Sequence, residues 1–530
     1  MRAILSTLRR HNAITVFLAA VFIARFFLAD WNSYWSDELL SVAVYGIWDP
    51  DLITMVQHLA ADSIHPPLYQ IVLYIWMGIF GASEIATRSL SNLDITLAAF
   101  FLYAILTRPF GRLVAFFGAA GFSVMNWSMY YGLEARSYAQ TALLVTVSSW
   151  ALLRFLARLR AGESWRSGPQ LAFLAVLTAA NSGLMLTHYY NGFWIVAQGV
   201  FVVVVALRER DVLRWPVALG ALALIGIVPV ALFAAIWGRV FLVQYQERST
   251  SFEVEGSVEV NPIQLLIGTV IRTNFGLPTL ALAAVGLVIA AGIVVALVGF
   301  IRARSGVSER DWTTLYLATW LVLPLVVTYA AFVIMGVERY QARYFLFAAP
   351  PLVPLVVIGI ASIIGLIVKN PERSAELTAL VTTLALIVVV LPGGLDGATS
   401  RKHDWRGIIQ RVVSTVEGDP SHEYVILETG FSPGQSRARF YFERYSDELR
   451  TDLVASRSSE ARNDFSLLEA ELPTAAEADY LVVMFLHMKT TGMPNLVTYL
   501  GDHYVEAYRQ VNKDGRGFVV YHVGAPATAG

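Results

Sequence analysis

Twelve apolar blocks run through the first three-quarters of the chain, near 13–29, 68–81, 89–107, 113–129, 138–153, 170–187, 190–207, 215–237, 278–301, 313–335, 344–368 and 376–392. A helix needs about 20 mostly apolar residues to cross a bilayer, and most of these blocks approach or exceed that length. After residue 392 the pattern changes. Ile408, Ile409, Val412, Val413 and Val416 repeat at helical spacing. Tyr424–Leu427, Tyr480–His487, Tyr504–Tyr508 and Phe518–His522 are rich in β-branched and aromatic residues and read as strands. Strands alternating with helical stretches predict a small α/β domain.

Basic residues decide which blocks cross. The clusters are Arg2, Arg9 and Arg10; Arg108 and Arg112; Arg154, Arg158, Arg160 and Arg166; Arg208, Arg210 and Arg214; Arg302, Arg304 and Arg310; and Lys369 with Arg373. All six fall on the cytoplasmic side, each separated from the next by two spans, provided that 68–81 does not cross. That block is short, led by prolines and followed by Glu84 and Arg88, so it is expected to lie at or dip into the interface. Eleven spans remain. The odd count puts the N-terminus in the cytoplasm and residues 393–530 outside it, in a multi-pass protein of the plasma (inner) membrane. The basic start and first apolar block fit a signal peptide, but no small-residue cleavage site precedes Asp30, so an uncleaved first span is expected.

Composition agrees and sharpens the division. The chain is 56% hydrophobic and only 15% charged, against about 25% charged in ordinary soluble domains. Residues 1–392 hold 25 Lys+Arg and 21 Asp+Glu, whereas the 138 residues from 393 hold 14 and 19, twice the density. The expected domains are therefore a membrane domain, 1–392, and an extracytoplasmic soluble α/β domain, 393–530. The net charge of −1 and the lack of a basic tract give no support for nucleic-acid binding. Without cysteine there are no disulfides, thiolate zinc sites or cysteine nucleophiles.

The charges left over gather at the outer ends of the spans. They are Asp37 and Glu38, His65, Glu84 and Arg88, Glu134 and Arg136, His188 with Tyr189 and Tyr190, and Glu338, Arg339 and Arg343. Charges near hydrocarbon are costly unless they face a cavity or a partner. Snorkelling or structural pairing explains any one of them about as well as function does; the convergence of the set points to a cavity. Asp37 and Glu38 project about 100° apart on a helix, so one can face a cavity while the other holds structure. The bland reading is a helix N-cap at Ser36 or Asp37. The prolines after His65 suit a first helical turn and need no function. Glu134 and Arg136 can form a local ion pair, and Arg136 can also offer its fork to a phosphate. Arg25 in the first span either snorkels or pairs internally, and Asn92 and Asn181 are expected to bond between helices. The turn-rich stretch 430–434 matches no phosphate-loop or dinucleotide fingerprint.

In this order the outer strings resemble the GT-C class of membrane glycosyltransferases, above all the branch holding protein O-mannosyltransferases and lipid A aminoarabinose transferases. Asp37-Glu38 is similar to the family's first-loop acidic pair. His65-Pro66-Pro67-Leu68-Tyr69, with Phe80-Gly81 and Ser83-Glu84 leading to Arg88, resembles its HPP segment and downstream arginine. Tyr131 to Tyr138, with Glu134-Ala135-Arg136, is similar to its Glu-Ala-Arg turn. Leu186-Thr187-His188-Tyr189 and Arg343-Tyr344-Phe345 resemble later signatures. Two departures stand out: Arg88 precedes Ser89-Leu90 where relatives often have Leu-Pro, and His65 stands where aminoarabinose transferases carry lysine before the two prolines. The acceptor is therefore left open.

The resemblance implies a GT-C-like membrane protein of about eleven spans that moves a sugar from a polyprenyl-phosphate carrier to an extracytoplasmic hydroxyl on a lipid, polysaccharide or protein. Asp37 would be the base of an inverting transfer, with Glu38 orienting the acceptor or holding the loop. Arg88, Arg136 and Arg343 would neutralise the carrier phosphate, with Glu134, His65, His188, Tyr189 and Tyr344 as substrate contacts. Rival readings are a lipid-linked sugar flippase, a surface polysaccharide polymerase or ligase, and a non-catalytic scaffold. Transporters commonly carry two similar halves, and no internal repeat is evident here. No cofactor is implied. A divalent cation could sit on two adjacent carboxylates and a phosphate, though no local metal motif argues for one.

Overall fold

The computed structural model describes residues 11–62, 65–248, 258–259, 261, 270–271, 273–275, 279–303, 306–335, 339–400, 404–418, 421–422, 424–429, 439–445, 454–456, 478–485, 498, 500–511 and 517–526. The expectations for Arg2, Arg9, Arg10, Arg304, Glu338 and the turn at 430–434 lie outside them. The chain forms two compact units. One comprises Met1–Ala29 with Pro50–Ser400, the other Asp30–Asp49 with Arg401–Gly530.

The first unit is helical because its sequence is apolar in long runs, and hydrocarbon allows backbone polar groups no other general solution than the helix or closed barrel. Among the described residues seven helices are long and apolar enough to cross a membrane, or eight when Ala342–Ala348 and Leu352–Ile367, bent by 50°, count as one span. Each of the eleven expected spans coincides with a helix or part of one. Glu84–Val124 accounts for two. Its 41 residues would extend about 60 Å, twice the hydrocarbon thickness, and the run breaks at Gly111, whose φ of +78° only glycine adopts cheaply. Asn12–Leu28 is shorter than the others. The 13-residue helix Leu68–Phe80 reaches only about 20 Å at 1.5 Å per residue, too short to cross a core about 30 Å thick.

Side-chain contacts sort the loops into two faces. Arg108 pairs with Glu309 at 2.9 Å and Arg160 with Glu209 at 2.7 Å, while Trp312 Nε1 donates to the same Glu209 at 2.7 Å. Four of the basic loops thus meet at one end of the unit. At the other end of the Tyr138–Arg160 helix, about 35 Å away, Arg136 meets His65 and His188 meets Tyr344. The loops that the charge rule assigns to one side are the ones that touch.

Polar groups inside the helices are held by one another. Arg25 is fully buried; its guanidinium donates to Asn92 Oδ1 at 3.2 Å and to the Ser123 carbonyl, so it pairs internally. Asn92 in turn donates to the Phe22 carbonyl at 2.8 Å. Asn181 accepts from Ser148 Oγ at 2.7 Å and donates to Gln198 Oε1 at 2.8 Å and the Ile225 carbonyl at 3.0 Å. Ile225 lies in a π-turn, Ala223–Ile227, where the helical ladder is locally rearranged. Gln198 passes the network on to Tyr316, whose hydroxyl donates to Ser149 at 3.0 Å. Five helical segments are tied together away from any charge. Elsewhere Gly359 leaves no room for a Cβ against the Val288 carbonyl, so the Thr279–Arg302 and Leu352–Ile367 helices cross in backbone contact.

The second unit carries a five-stranded sheet, order β4-β3-β5-β7-β6, made of β3 (Tyr424–Thr429), β4 (Val454–Ser456), β5 (Tyr480–Phe485), β6 (Tyr504–Val511) and β7 (Gly517–Pro526). The strands β3, β4 and β5 are parallel and β7 runs antiparallel to β5 and β6. The numbering begins after a two-residue pair in the helical unit, β1 (Val258–Glu259) and β2 (Arg339–Tyr340). Trp405–Glu417 forms the expected amphipathic helix. Asp404 caps it by accepting from the Gly407 amide at 3.0 Å, and Ile408, Ile409, Val412, Val413 and Val416 are buried beside Trp405.

The buried network makes a measurable claim. Asn181→Leu removes one acceptor and two donors and leaves the Ile225 carbonyl and Gln198 without them, at a cost of about 1–2 kcal/mol. Thermal unfolding in detergent reads it; a melting point equal to that of the parent contradicts a structural role for the network.

Candidate active site

The face of the helical unit opposite the Arg160–Glu209 end is assembled by three turns. Pro67 occupies the cap of Leu68–Phe80, and the Leu68 amide donates to the Leu186 carbonyl at 2.9 Å. This bond sets the His65 segment against the turn that follows Gly168–Met185. That turn is fixed in its own right: Asn191 Nδ2 donates to the Leu184 carbonyl at 2.9 Å and to Thr141 Oγ1 at 3.2 Å. The third turn, Tyr130 to Ser137, is pinned where Ser91 Oγ donates to the Glu134 carbonyl at 2.6 Å.

These constraints bring together His65, Arg136, His188 and Tyr344. Arg136 Nη2 lies 3.1 Å from His65 Nε2; a guanidinium only donates, so Nε2 accepts and His65 is the neutral Nδ1–H tautomer. The His65 and His188 rings stand 5.5 Å apart, and His188 is 5.0 Å from the Tyr344 ring. Arg343 is placed beside Tyr344, its Cζ 5.9 Å from the ring centroid. Burial and the Glu134 carboxylate hold the Tyr131 phenol above its ordinary pKa, and Arg343 opposes them, so Glu134, Tyr131 and Arg343 share one electrostatic environment.

His188 is the chemically informative member. It is 5% exposed, and its Nδ1 accepts from the Tyr190 amide at 3.3 Å, which leaves the proton on Nε2. Nε2 is buried with no hydrogen-bond partner among the described residues. Burial, then Arg136 and Arg343, push the imidazole pKa down to about 3. At neutral pH the site therefore presents a neutral imidazole N–H beside arginine, a set of donors suited to an anionic oxygen.

Other expected site residues lie elsewhere. Tyr189 turns away; its hydroxyl donates to Gln244 at 2.7 Å and accepts from Trp237 Nε1 at 3.1 Å. Its neighbour Tyr190 enters the cluster instead, 5.1 Å from Tyr344 and 5.5 Å from His188. Tyr138 joins as well, 5.0 Å from Tyr131. The Tyr189-Tyr190 pair was visible in the sequence, but no pattern there says which ring faces inward. Arg88 is buried and donates through Nη1 to the Ala29 carbonyl at 2.6 Å, so part of its fork holds the end of the first helix.

Asp37 and Glu38 belong to the second unit, on the short helix Ser36–Leu39. The capping residue is Trp35, where Ser36 or Asp37 was expected. Glu38 is fully buried and reaches back to accept from the Trp35 amide at 3.4 Å. Asp37 is half-buried, so the two carboxylates divide as their 100° separation allows. Among the described residues no three His, Cys, Asp or Glu side chains group to hold a metal ion.

The fold matches solved structures. ArnT from Cupriavidus metallidurans in the apo state superposes with a TM-score of 0.55 at 14% identity, over 96% of this chain and 97% of that one. The fold is GT-C. The same ArnT bound to undecaprenyl phosphate gives 0.52 over 98% and 99%. A second GT-C protein, the archaeal oligosaccharyltransferase AglB from Archaeoglobus fulgidus, in complex with an inhibitory peptide and a dolichol-phosphate, gives 0.51 at 12% identity, over 94% of this chain and 74% of that one. Residues 64–233 match the family model described as dolichyl-phosphate-mannose-protein mannosyltransferase. No curated protein sequence matches the chain. The matched stretch holds the HPP segment, the Glu134–Arg136 turn and His188.

The depressed His188 pKa has a signed consequence. The unfolded chain takes up its proton near the ordinary 6.5 and the folded chain only near 3. The stability tied to the neutral ring is complete above pH 6.5 and is lost progressively as pH falls below it. Thermal melts from pH 7 to 4 should show the parent losing stability more steeply than His188→Asn; parallel curves contradict the assignment.

Proposed function

We propose that the protein transfers a sugar from a polyprenyl-phosphate carrier to a hydroxyl acceptor outside the cytoplasm, with inversion at the anomeric carbon. The observation that carries this reading is the buried neutral His188 beside Arg136, His65, Arg343 and Tyr344; of these His65, Arg136 and His188 lie in the stretch that matches the mannosyltransferase family model. The ArnT and AglB structures, which hold undecaprenyl phosphate and a dolichol-phosphate, support the same class of donor.

The chemistry needs few groups. The acceptor oxygen attacks the anomeric carbon, its proton passes to Asp37, and the bond from that carbon to the phosphate oxygen breaks with its electron pair leaving on the phosphate. Phosphate leaves readily, so this end calls for charge stabilisation in place of a strong acid. Arg136 and Arg343 supply positive charge and His188 Nε2–H a neutral donor. His65, locked as an acceptor by Arg136, orients that guanidinium. Arg88, with one nitrogen on Ala29, acts by holding the end of the first helix and adds positive charge toward the carrier. Glu38 fixes the first loop and leaves the proton transfer to Asp37. The short Leu68–Phe80 helix exposes Ile75, Ile79 and Phe80, apolar surface suited to a polyprenyl chain. The charge rule supports the reading in which residues 393–530 and the acceptor are outside the cytoplasm.

Two substitutions test separate parts of the scheme with purified full-length protein and polyprenyl-phosphate sugar. Asp37→Asn should lower transfer about 10²–10⁴-fold while donor binding persists. Near-full transfer removes Asp37 as the base. Arg136→Ala should cost about 10²–10³-fold in kcat. An unchanged rate removes it from phosphate stabilisation.

A further inference from the structure

The loop that carries Asp37 is built into the second unit. Arg406, at the start of the Trp405–Glu417 helix, grips Asp30 twice, Nη1 to the carboxylate at 2.6 Å and Nη2 to the backbone carbonyl at 2.8 Å. The Trp405 amide donates to Ser33 Oγ at 3.1 Å. The Tyr34 amide donates to the Tyr441 hydroxyl at 2.7 Å, and the Tyr34 ring packs edge-on to Phe440 at 5.6 Å. Beyond Asp37, Trp48 Nε1 donates to Glu443 at 3.1 Å and the Trp48 ring lies under the Arg439 guanidinium at 5.1 Å. Tyr34, Trp405 and Tyr441 are fully buried, as are Leu39 and Val42. Anchors at 30, 33 and 34 and again at 48 bracket the carboxylate. All of them come from residues 405–443, more than 350 positions downstream of the loop.

We propose that the C-terminal domain is the positioning device for the catalytic base: Arg406 and Tyr441, with Trp405 and Glu443, hold the Asp30–Asp49 loop so that Asp37 keeps one orientation. This rests on the reading of Asp37 as the base. The helical run that carries Asp37, Ser36–Leu39 continuing into the π-helical Leu40–Ile47, is only about 12 residues long, a length that is marginal without outside contacts. The anchors supply that order from outside the loop. On this proposal each acts through Asp37, so removing them should lower kcat and leave the KM for donor unchanged. A misplacement of about 1 Å can cost about 10²-fold.

The test uses full-length protein carrying Arg406→Ala and Tyr441→Phe together. Arg406 is partly exposed and Tyr441→Phe deletes one oxygen, so the fold is retained; the melting point checks this. Two quantities are read: kcat and donor KM in a transfer assay, and hydrogen exchange of peptides covering 30–49. The expected result is a 10- to 100-fold fall in kcat at constant KM, with faster exchange in 30–49 and unchanged exchange in the Tyr138–Arg160 helix. Arg406→Lys, which keeps one bond to the Asp30 carboxylate, should recover part of the rate. An unchanged kcat overturns the proposal, and so does a lower kcat with unchanged exchange in 30–49. Asp37→Asn separates this failure from that of the underlying reading. If Asp37→Asn abolishes transfer and the anchor variants do not, only the positioning role fails. If Asp37→Asn transfers fully, both the base and its positioning fall.

Discussion

Hydrocarbon has no water to offer a polar group, and that constraint organises the membrane part of this molecule. Every charge or amide within a helix must find a partner inside the protein. Arg25 meets Asn92 and the Ser123 carbonyl. Asn181 meets Ser148, Gln198 and the Ile225 carbonyl that the π-turn places within its reach. The remaining charges are driven to the two ends of the bundle. One end collects arginines that pair with Glu209 and Glu309. The other collects the histidines, tyrosines and arginines of the candidate site.

The same constraint shapes the chemistry at that end. His188 is buried against two arginines, so it stays neutral and presents an N–H. His65 is held neutral by a different route, through the Arg136 donor that it accepts. A phosphate bound there would gain charge from arginine and direction from imidazole, and the cluster excludes much of the water that would screen both. The carboxylate proposed to accept the proton is carried on the other unit, in a stretch that residues of the C-terminal region bracket.

Much of this was legible along the chain. The long helices were, because each follows a largely apolar run, and so was the shortness of the helix at 68–81, because its apolar run is too brief to cross a bilayer. The five residues of the Ile408–Val416 pattern and four of the five strands of the sheet were readable by period and composition. The three-residue β4 was too short to signal itself. Long-range partners were not readable. Nothing near Trp48 announces Glu443, and nothing near Ser33 announces the Trp405 amide. The choice between Tyr189 and Tyr190 was equally closed, because neighbours at a turn point apart and only the packed structure says which one enters the cluster. The group of Asp30–Asp49 with the C-terminal residues is of this kind too: it is a tertiary fact carried by contacts across nearly the whole chain.

Carrier release is the most direct test of the central claim. Purified full-length protein in nanodiscs, given a polyprenyl-phosphate-linked sugar and an extracytoplasmic extract as acceptor, should release one free polyprenyl phosphate for each sugar transferred. The new glycosidic bond should have the opposite anomeric configuration to the donor, read by mass spectrometry and NMR. Donor that remains intact, or that only changes leaflet in sealed vesicles, would contradict a transferase and return the chain to the class of lipid-linked sugar transporters.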